Sequence, residues 1–312
     1  MHYLTRDQLE ALAIRSSEVI DYLEVLVRQQ SQQQAMAAPK TVIAPADGRY
    51  LMATLSMSEE PPYMAVKSLL VNQQNSAAGG EAINASIILM HAHTGEPLAI
   101  MDGNWITGIR TAAASALAAR YLARAEASSI AFIGCGVQAR SHLQVFAEQY
   151  PLQTVYALGK GAKNRDALLA MATDMGMTAV ACSEARQAVA DADIIVSSIP
   201  LTSKEPAFID VNWLKPGAFV AATDAGLPWL PASLTAFDHR YIDDRKQEAA
   251  MAKPMMPLAL IDGDLGELLN GQVAARQNDQ QRLGFIYRAV ALGDLAMATL
   301  VYQKLQPLTV NI

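Results

Sequence analysis

A glycine-rich turn between a predicted strand and a predicted helix constrains this chain more than any other stretch. Residues 129–133 form a short apolar run, Gly-Cys-Gly-Val-Gln-Ala follows at 134–139, and 140–150 is amphipathic. This order fits G-x-G-x-x-G/A, the fingerprint of dinucleotide-binding folds. We therefore predict that a dinucleotide binds at this turn, with its pyrophosphate at the start of the helix.

Each position of the fingerprint has a physical task. Gly134 permits the tight turn, Gly136 lets the backbone approach the pyrophosphate, and Ala139 lets the helix pack closely on the strand. Val137 and Gln138 stand between them in the first turn of the predicted helix. The backbone N–H groups of such a turn face a bound anion, so all five residues are candidate cofactor contacts.

Composition limits the remaining possibilities. The chain has 312 residues, of which 52% are hydrophobic and 17% charged, enough for one large or two modest domains. A net charge of −6 without a cluster of basic residues argues against a nucleic-acid partner. The two cysteines suggest neither a disulfide framework nor a metal site. We find no signal-like run and no apolar stretch of about 18 residues, so we expect a cytoplasmic protein without membrane spans.

The order of predicted elements indicates two domains of different class. Up to about residue 103 the pattern is mostly antiparallel β behind two helices, which Thr5 and Ser16 cap. An alanine-rich helix over Trp105–Arg124 leads into the second domain. Strands and helices then alternate, which favours a doubly wound parallel sheet. The final pattern, Arg282–Leu305, is typical of one long helix packed on the first domain.

The individual elements follow from apolar spacing and turn residues. In the first domain we predict strands at Thr41–Ile43, Tyr50–Ser56, Tyr63–Val71, Ala85–His91 and Pro97–Met101, and a loop at Asn75–Gly80. In the second we predict alternating strands and helices at Thr154–Leu158, Asn164–Met175, Ala179–Ala181, Ser183–Val189, Ile194–Ser197, Ala218–Ala222 and His239–Ile242. The α/β fold is thus a Rossmann domain at 116–289 plus an α+β domain at 1–115 that 290–312 completes.

Three charged residues could carry chemistry. Lys67 lies in an apolar strand, where a lysine is costly to bury without a partner. A lysine held in this way commonly binds an anion or donates a proton. The alternative is that its side chain faces outward. Arg110 begins a small-residue helix and could clamp a carboxylate or phosphate, or only bridge two helices. Asp224 follows the strand at 218–222, where ligands of open α/β sheets bind, and could be a general base or only a turn former.

The segment after the second Rossmann strand bears on the choice of cofactor. NAD sites usually carry an acidic residue about 20 positions beyond the glycines. This chain has Gly159-Lys160-Gly161 there, with Arg165 nearby. Cations suit a 2′-phosphate, so we favour NADP(H) over NAD(H), although a solvated basic loop is the alternative. Ser198, after the strand at 194–197, could line the cofactor cleft.

Seven motifs occur in an order that resembles the ornithine cyclodeaminase/mu-crystallin family. They are A-V-K-S at 65–68, T-G-E-P-L-A-I-M-D-G at 94–103, T-G-I-R-T-A-A at 107–113, G-C-G-V-Q-A-R-S-H at 134–142, W-L-K-P-G-A at 213–218, A-T-D at 222–224 and A-L-G-D-L-A-M-A-T-L-V-Y at 291–302. The resemblance covers nearly the whole chain. It implies a homodimer whose first domain forms the dimer interface and binds substrate, and a Rossmann domain that binds NAD(P).

The resemblance also implies roles for single residues. Lys67 matches a lysine that binds the substrate carboxylate and transfers a proton, and Arg110 matches a carboxylate-binding arginine. Thr111 matches a contact to the cofactor phosphate, and Asp224 matches the acid/base aspartate. Lys40 stands where the family usually has a further arginine, and a lysine cannot bind a carboxylate in two-pronged fashion as arginine does.

Departures from the family pattern narrow the expected activity. Ala225–Trp229 lacks the lysine and glutamate that often follow the aspartate, and Tyr287–Ala289 replaces a common Phe-Lys-Ser. The acid of NAD-using cyclodeaminases is missing at 159–160. We therefore expect a reductase of small cyclic imino acids, which converts pyrroline-2-carboxylate or piperideine-2-carboxylate to proline or pipecolate. Ornithine cyclodeaminase, alanine dehydrogenase and an NADPH-dependent binding protein with little turnover remain alternatives.

Overall fold

A computed structural model describes residues 2–72, 74–75, 79–251 and 253–309. The chain divides into two compact units, 1–110 with 290–312, and 111–289. The division falls within the alanine-rich helix, whereas the boundary predicted from the sequence is 115–116. Residues 76–78 of the predicted loop Asn75–Gly80 lie outside the described residues.

Strands and helices follow one another along the whole chain. The strands are β1 His2–Leu4, β2 Ala35–Ala37, β3 Thr41–Ile43, β4 Tyr50–Ser58, β5 Tyr63–Val71, β6 Ile83–His91, β7 Pro97–Asp102, β8 Ser129–Ile133, β9 Thr154–Leu158, β10 Thr178–Ala181, β11 Ile194–Ser197, β12 Phe219–Ala222, β13 His239–Ile242, β14 Gly263–Asp264 and β15 Leu283–Ile286. The α-helices are α1 Arg6–Ala11, α2 Ser16–Ser31, α3 Gly103–Leu122, α4 Val137–Gln149, α5 Ala162–Asp174, α6 Ala185–Val189, α7 Arg245–Ala249, α8 Leu265–Leu269 and α9 Ala291–Thr309.

The first unit is a sheet covered on one face by helices. Its strand order is β1-β7-β6-β5-β4-β2, with β3 also paired to β4, and all pairs are antiparallel except β1 with β7. Helix α9 packs on β4, β5 and β6 as well as on α2. Alternate residues of β5, namely Ala65, Lys67 and Leu69, are buried, as the two-residue period of a strand requires.

The other face of this sheet carries an apolar row. In register across five strands lie Leu55, Val66, Ile88, Ile100 and Tyr3. Leu55 is 44% exposed, Ile88 37% and Tyr3 72%. An apolar row of this length on one sheet face is typical of a contact surface.

The N-terminal helix caps are partly as predicted. Thr5 caps α1 in a capping box with Gln8, which confirms the prediction. Ser16 is the first residue of α2 and not its cap, which is Arg15. The Arg15 backbone N–H donates to the Glu18 carboxylate at 2.8 Å. Glu18, at the third helical position, thus satisfies the backbone N–H of the capping residue.

The second unit is an all-parallel sheet of order β10-β9-β8-β11-β12-β15-β13-β14. Every residue of β8, β11 and β12 is buried, as expected for strands covered on both faces. The strand order reverses between β8 and β11. In open α/β sheets, ligands bind beyond the carboxyl ends of the strands at such a reversal.

The predicted long helix over Arg282–Leu305 is wrong at its start. Leu283–Ile286 is the buried strand β15 between β12 and β13, and the helix begins at Ala291. A short, fully buried apolar run has no solvent-facing side, so its periodicity cannot distinguish strand from helix. None of the described helices combines the length and hydropathy needed to cross a membrane.

Candidate functional site

A buried carboxylate links two candidate cations of the first unit. Lys67 Nζ donates to Asp294 Oδ1 at 2.8 Å, and both side chains are 1% exposed. The outward-facing alternative for Lys67 is therefore wrong. Arg110 Nε lies 2.9 Å from the same Oδ1, and Thr54 Oγ1 donates to Oδ2 at 3.1 Å. Arg110 thus does pair with a second helix, the alternative left open by the sequence, while it joins Lys67 around one carboxylate.

Burial and charge determine the protonation of this cluster. Burial lowers the pKa of Lys67 to about 8, the Arg110 guanidinium acts in the same direction, and the Asp294 carboxylate opposes both. Burial by itself would raise the pKa of Asp294, but Arg110 and Lys67 hold it below its ordinary value. At neutral pH two cations therefore surround one carboxylate, and the net positive charge suits one further anion.

Asp294 is the residue that sequence reasoning missed. It lies in the A-L-G-D motif that begins α9, within an otherwise apolar stretch, and no role follows for it from the resemblance. The signal was present, because a carboxylate in an apolar helix needs a buried partner as much as Lys67 does. Lys40 lies between β2 and β3 and is half-buried.

The glycine turn has the geometry that the fingerprint requires. Gly134 has φ +90°, and a Cβ atom there would lie 2.8 Å from the Ser198 carbonyl oxygen. A Cβ atom on Gly136 would meet nothing within 4 Å, and Gly136 has no side chain with which to cap α4. Val137 is 62% exposed, whereas Ala139 is fully buried.

These features fit a dinucleotide phosphate. Open space lies over Gly136, and the first N–H groups of α4 have no side-chain cap. Gln138 Oε1 is buried and has no hydrogen-bond partner among the described residues, so a donor of a bound ligand would satisfy it. Thr111 is 6% exposed, and its carbonyl oxygen accepts a hydrogen bond from the Tyr287 hydroxyl at 2.9 Å.

Two cations follow β9, and each already has a carboxylate partner. Lys160 is 77% exposed and pairs with Glu205, and Arg165 Nη2 lies 2.9 Å from Asp166. Burial raises the pKa of the Cys135 thiol to about 11, and the Arg165 guanidinium opposes that rise. Arg165 therefore acts electrostatically on the glycine turn.

Asp224 is buried at the carboxyl end of β12. Its Oδ1 accepts from Ser197 Oγ at 3.0 Å and its Oδ2 from the Ile199 N–H at 3.1 Å. Trp229 Nε1 donates to Ser197 Oγ at 3.1 Å. Burial raises the pKa of Asp224 to about 6 although these hydrogen bonds oppose the rise. Asp224 thus fixes the turn after β11, and burial brings its pKa closer to neutral pH.

Sequence comparison matches residues 3–307 to the ornithine cyclodeaminase/mu-crystallin family. The rat ketimine reductase mu-crystallin is 30% identical over 317 aligned residues, which cover 97% of this chain and 96% of that protein. The Delta(1)-pyrroline-2-carboxylate reductase of Bacillus cereus is 25% identical over 305 residues, or 93% of both chains. The alanine dehydrogenase of Archaeoglobus fulgidus is 27% identical and covers 96% of this chain and 94% of its own.

Solved structures share the fold along the whole chain. An archaeal alanine dehydrogenase dimer with bound NAD superimposes with a TM-score of 0.88 at 26% identity, covering 100% of this chain and 97% of that one. The Thermococcus litoralis Delta(1)-pyrroline-2-carboxylate reductase, in complex with NADH and L-proline, also gives 0.88, at 24% identity, with 99% and 98% covered. The predicted fold class, a Rossmann sheet plus an α+β unit from both chain ends, is confirmed. On its residues, its fold and its relatives, this chain belongs to the ornithine cyclodeaminase/mu-crystallin family.

Proposed function

We propose that the protein is an NAD(P)H-dependent reductase of small cyclic imino acids, which converts pyrroline-2-carboxylate or piperideine-2-carboxylate to proline or pipecolate. The observation that carries the proposal is the buried cluster of Lys67 and Arg110 around Asp294, which leaves one positive charge for a carboxylate. The chain also has a dinucleotide turn, and relatives named as ketimine and pyrroline-2-carboxylate reductases align along nearly its whole length.

In this proposal the first unit binds the substrate carboxylate. Lys67 and Arg110 supply charge-assisted hydrogen bonds, which are short and directional in a water-poor site. Because Lys67 is already hydrogen-bonded to Asp294 and Arg110 is buried in an ion pair with it, little side-chain entropy is lost when an anion binds. Lys40 is a further candidate, which would act as a point charge rather than a fork.

The second unit binds the cofactor in this proposal. The bound nicotinamide supplies the hydride for the C=N carbon, and this chemistry belongs to the cofactor. Gly134, Gly136, Val137, Gln138 and Ala139 would hold the pyrophosphate at the start of α4. Thr111 and Ser198 would complete the contacts.

We further propose NADP(H) as the favoured form of the cofactor. Lys160 and Arg165 follow β9, where an acid would bind the ribose hydroxyls of NAD. Gly159 has no room for a side chain, because a Cβ atom would lie 2.8 Å from Cys135 Sγ. The 2′-phosphate would replace Glu205 as the partner of Lys160.

Lys67 and Asp224 would donate or stabilise the proton at the substrate nitrogen, and burial moves their pKa values in opposite directions. Lys67, with its pKa lowered by burial to about 8, is an ammonium ion at pH 7. Asp224, with its pKa raised by burial to about 6, is a carboxylate at that pH. In this form Asp224 stabilises the protonated substrate nitrogen, and Lys67 can supply a proton.

A substrate panel tests the proposal. We expect the protein to oxidise NADPH with pyrroline-2-carboxylate or piperideine-2-carboxylate, faster than with pyruvate plus ammonia. Ammonia release from ornithine with catalytic NAD+ and no net nicotinamide turnover would instead establish cyclodeamination. Preferred turnover of pyruvate and ammonia would establish alanine dehydrogenation, and NADPH binding without turnover of any substrate would establish a binding protein.

Single variants separate the carboxylate site from the cofactor site. Lys67→Ala should abolish imine reduction while NADPH binding, followed by nicotinamide fluorescence, stays near that of the wild type. Lys304→Ala is the matched control, because Lys304 also forms an ion pair in the first unit but is 33% exposed, whereas Lys67 is 1% exposed. Wild-type rates in Lys67→Ala would contradict the role of Lys67.

We also propose that the protein is a homodimer joined through the apolar row Leu55, Val66, Ile88, Ile100 and Tyr3. The row covers five strands of the first sheet on the face opposite α9. A symmetric dimer buries the same patch on both subunits, as such a row allows.

A further inference from the structure

We propose that Asp294 is the positioning residue of the carboxylate site: it keeps Lys67 as an ammonium ion and fixes the Arg110 guanidinium, so that the site offers one net positive charge to one carboxylate. The proposal rests on the function proposed above, since it assigns Lys67 and Arg110 to a substrate anion. It adds a residue for which neither the sequence motifs nor the resemblance supplied a role.

The contacts of Asp294 use both carboxylate oxygens. Oδ1 accepts a hydrogen bond from Lys67 Nζ at 2.8 Å and lies 2.9 Å from Arg110 Nε. Oδ2 accepts a hydrogen bond from Thr54 Oγ1 at 3.1 Å. Thr54 and Lys67 are direct cross-strand neighbours on β4 and β5. One side chain of α9 therefore accepts hydrogen bonds from β4 and β5 and forms an ion pair with Arg110 of α3.

The start of α9 is held where these contacts need it. Ser56 Oγ donates to the Ala291 carbonyl oxygen at 3.0 Å, which joins β4 to the first turn of the helix. Gly293 leaves room for Arg110, because a Cβ atom there would lie 3.1 Å from Arg110 Cδ. With a larger residue at this position, the Arg110 side chain or the helix would have to shift by a few tenths of an ångström.

The charge of the cluster shows why the carboxylate is needed. Within the part of the chain that the structure describes, the charged groups that face Lys67 are Arg110 from α3 and Asp294 from α9. Its strand neighbours Thr54 and Ile87 are uncharged. Without Asp294, Lys67 would be a buried lysine beside a permanent cation. A lysine in that position releases its proton, whereas arginine does not, so the site would lose one of its two donors to the substrate.

A direct titration of Lys67 tests the proposal without any measurement of turnover. Lysines labelled with 13C at Cε are followed by NMR between pH 6 and 11, and Lys67→Met identifies the Lys67 signal. We expect the wild-type midpoint near 8, because burial lowers the pKa of Lys67 to about that value. Asp294→Asn should lower the midpoint by about one pH unit or more, since it removes the only anion in contact with the ammonium among the described residues.

The sign of the shift separates positioning from a merely structural role. A variant that only loosened the packing would hydrate Lys67 and raise its midpoint toward about 10.4, the value of a free lysine. Glu18→Gln is the matched control. It breaks an ion pair at 3.1 Å between Glu18 of α2 and Lys304, which lies in the same helix as Asp294. The midpoint of Lys67 should not move in this control.

The kinetic consequence is a change in pH profile. The alkaline fall in kcat/KM for the cyclic imine should occur at lower pH in Asp294→Asn, by the same shift as the NMR midpoint. Asp294→Glu keeps the charge and should keep the midpoint within about half a pH unit of the wild type.

Several outcomes would overturn the proposal. These are an unchanged or raised midpoint in Asp294→Asn, and a wild-type midpoint below about 7 or at the free-lysine value. If Asp294→Asn does not fold, a wild-type midpoint outside that range still overturns the proposal, and so does a midpoint in Asp294→Glu that falls by about one pH unit or more. A wild-type protein that reduces no cyclic imine would contradict the proposed function, while the NMR midpoints would still decide the role of Asp294.

Discussion

The Ser198 carbonyl oxygen would lie 2.8 Å from a Cβ atom on Gly134, and the Ser198 hydroxyl donates to the Gly134 carbonyl oxygen at 3.3 Å. The two residues directly follow β8 and β11, the strands at which the strand order reverses. The backbone segments that follow β8 and β11 therefore approach each other closely at the edge of the sheet where ligands of this fold class bind. Only glycine satisfies both the contact and the positive φ of +90°.

Gly134→Ala should destabilise the fold and weaken NADPH binding together. The positive φ and the contact with backbone each impose strain, so we expect a loss of about 1–3 kcal/mol in the free energy of unfolding. Urea denaturation and nicotinamide fluorescence measure the two effects. A variant as stable as the wild type would show that the turn is not held in this conformation.

Gly136→Ala is the matched variant with the opposite expectation for stability. Gly136 has φ −76°, and an added Cβ meets nothing within 4 Å, so the free energy of unfolding should change by less than about 0.5 kcal/mol. In the proposed complex the methyl group would occupy the space that the pyrophosphate needs. We expect roughly tenfold weaker NADPH binding, about 1.4 kcal/mol, and unchanged affinity would mean that no anion approaches Gly136.

The choice between NADPH and NADH should depend on Lys160 and Arg165. Replacing both by serine should weaken NADPH binding roughly tenfold and leave NADH binding nearly unchanged, because only NADPH carries the 2′-phosphate. Lys246→Ser, at an exposed lysine of α7, is the control. Glu205→Gln should strengthen NADPH binding, since Glu205 competes for Lys160. Equal effects on the two cofactors would contradict the proposed preference.

The sequence was most informative where a local pattern determines local structure. The glycine turn and the strand at Tyr63–Val71 are as predicted, because each depends on residues close together in the chain. The parallel second sheet is also as predicted, because the alternation of strands and helices favours it. The sequence predicts that Lys67 needs a partner. It does not identify Asp294 as that partner, because 227 residues separate the two and burial of a charge does not say where the counter-charge lies.

The rest of the site depends on packing that no single stretch encodes. His142 lies in α4, and its role could not be predicted from the sequence. Its Nε2 lies 2.9 Å from Ser115 Oγ, which in turn lies 2.7 Å from the Tyr287 hydroxyl. Burial lowers the pKa of His142 to about 4, so it is neutral at physiological pH and can accept from Ser115. Such a network forms only once α3, α4 and the segment after β15 have packed.

Ile88→Glu should separate the proposed dimer. Ile88 lies in the middle of the apolar row on the first sheet and is 37% exposed, so a glutamate there leaves the monomer intact but buries charge in the interface. Light scattering should give twice 33.5 kDa for the wild type and 33.5 kDa for the variant. Met175→Glu, at a 41% exposed residue after α5, is the control and should remain dimeric. A monomeric wild type would contradict the interface.

The pH profile of imine reduction should be bell-shaped between the pKa values of Asp224 and Lys67. Burial raises the pKa of Asp224 to about 6, so below that pH the carboxylate takes up a proton and no longer stabilises a protonated substrate nitrogen. Burial lowers the pKa of Lys67 to about 8, so above that pH the ammonium is lost and carboxylate binding weakens. We therefore expect kcat/KM to be highest between about pH 6 and 8.

Asp224→Asn tests the acid side of this profile. The variant cannot take up the proton, so kcat/KM should be lower at neutral pH and should no longer fall as the pH drops through 6, while the alkaline fall remains. Asp191→Asn is the control, because Asp191 is an exposed carboxylate before β11, at the opposite end of the sheet. This variant should keep both the acid and the alkaline limb of the pH profile. An acid limb that persists in Asp224→Asn would assign that ionisation to the substrate or to another group, and Asp224 would then only fix the turn through Ser197 and Ile199.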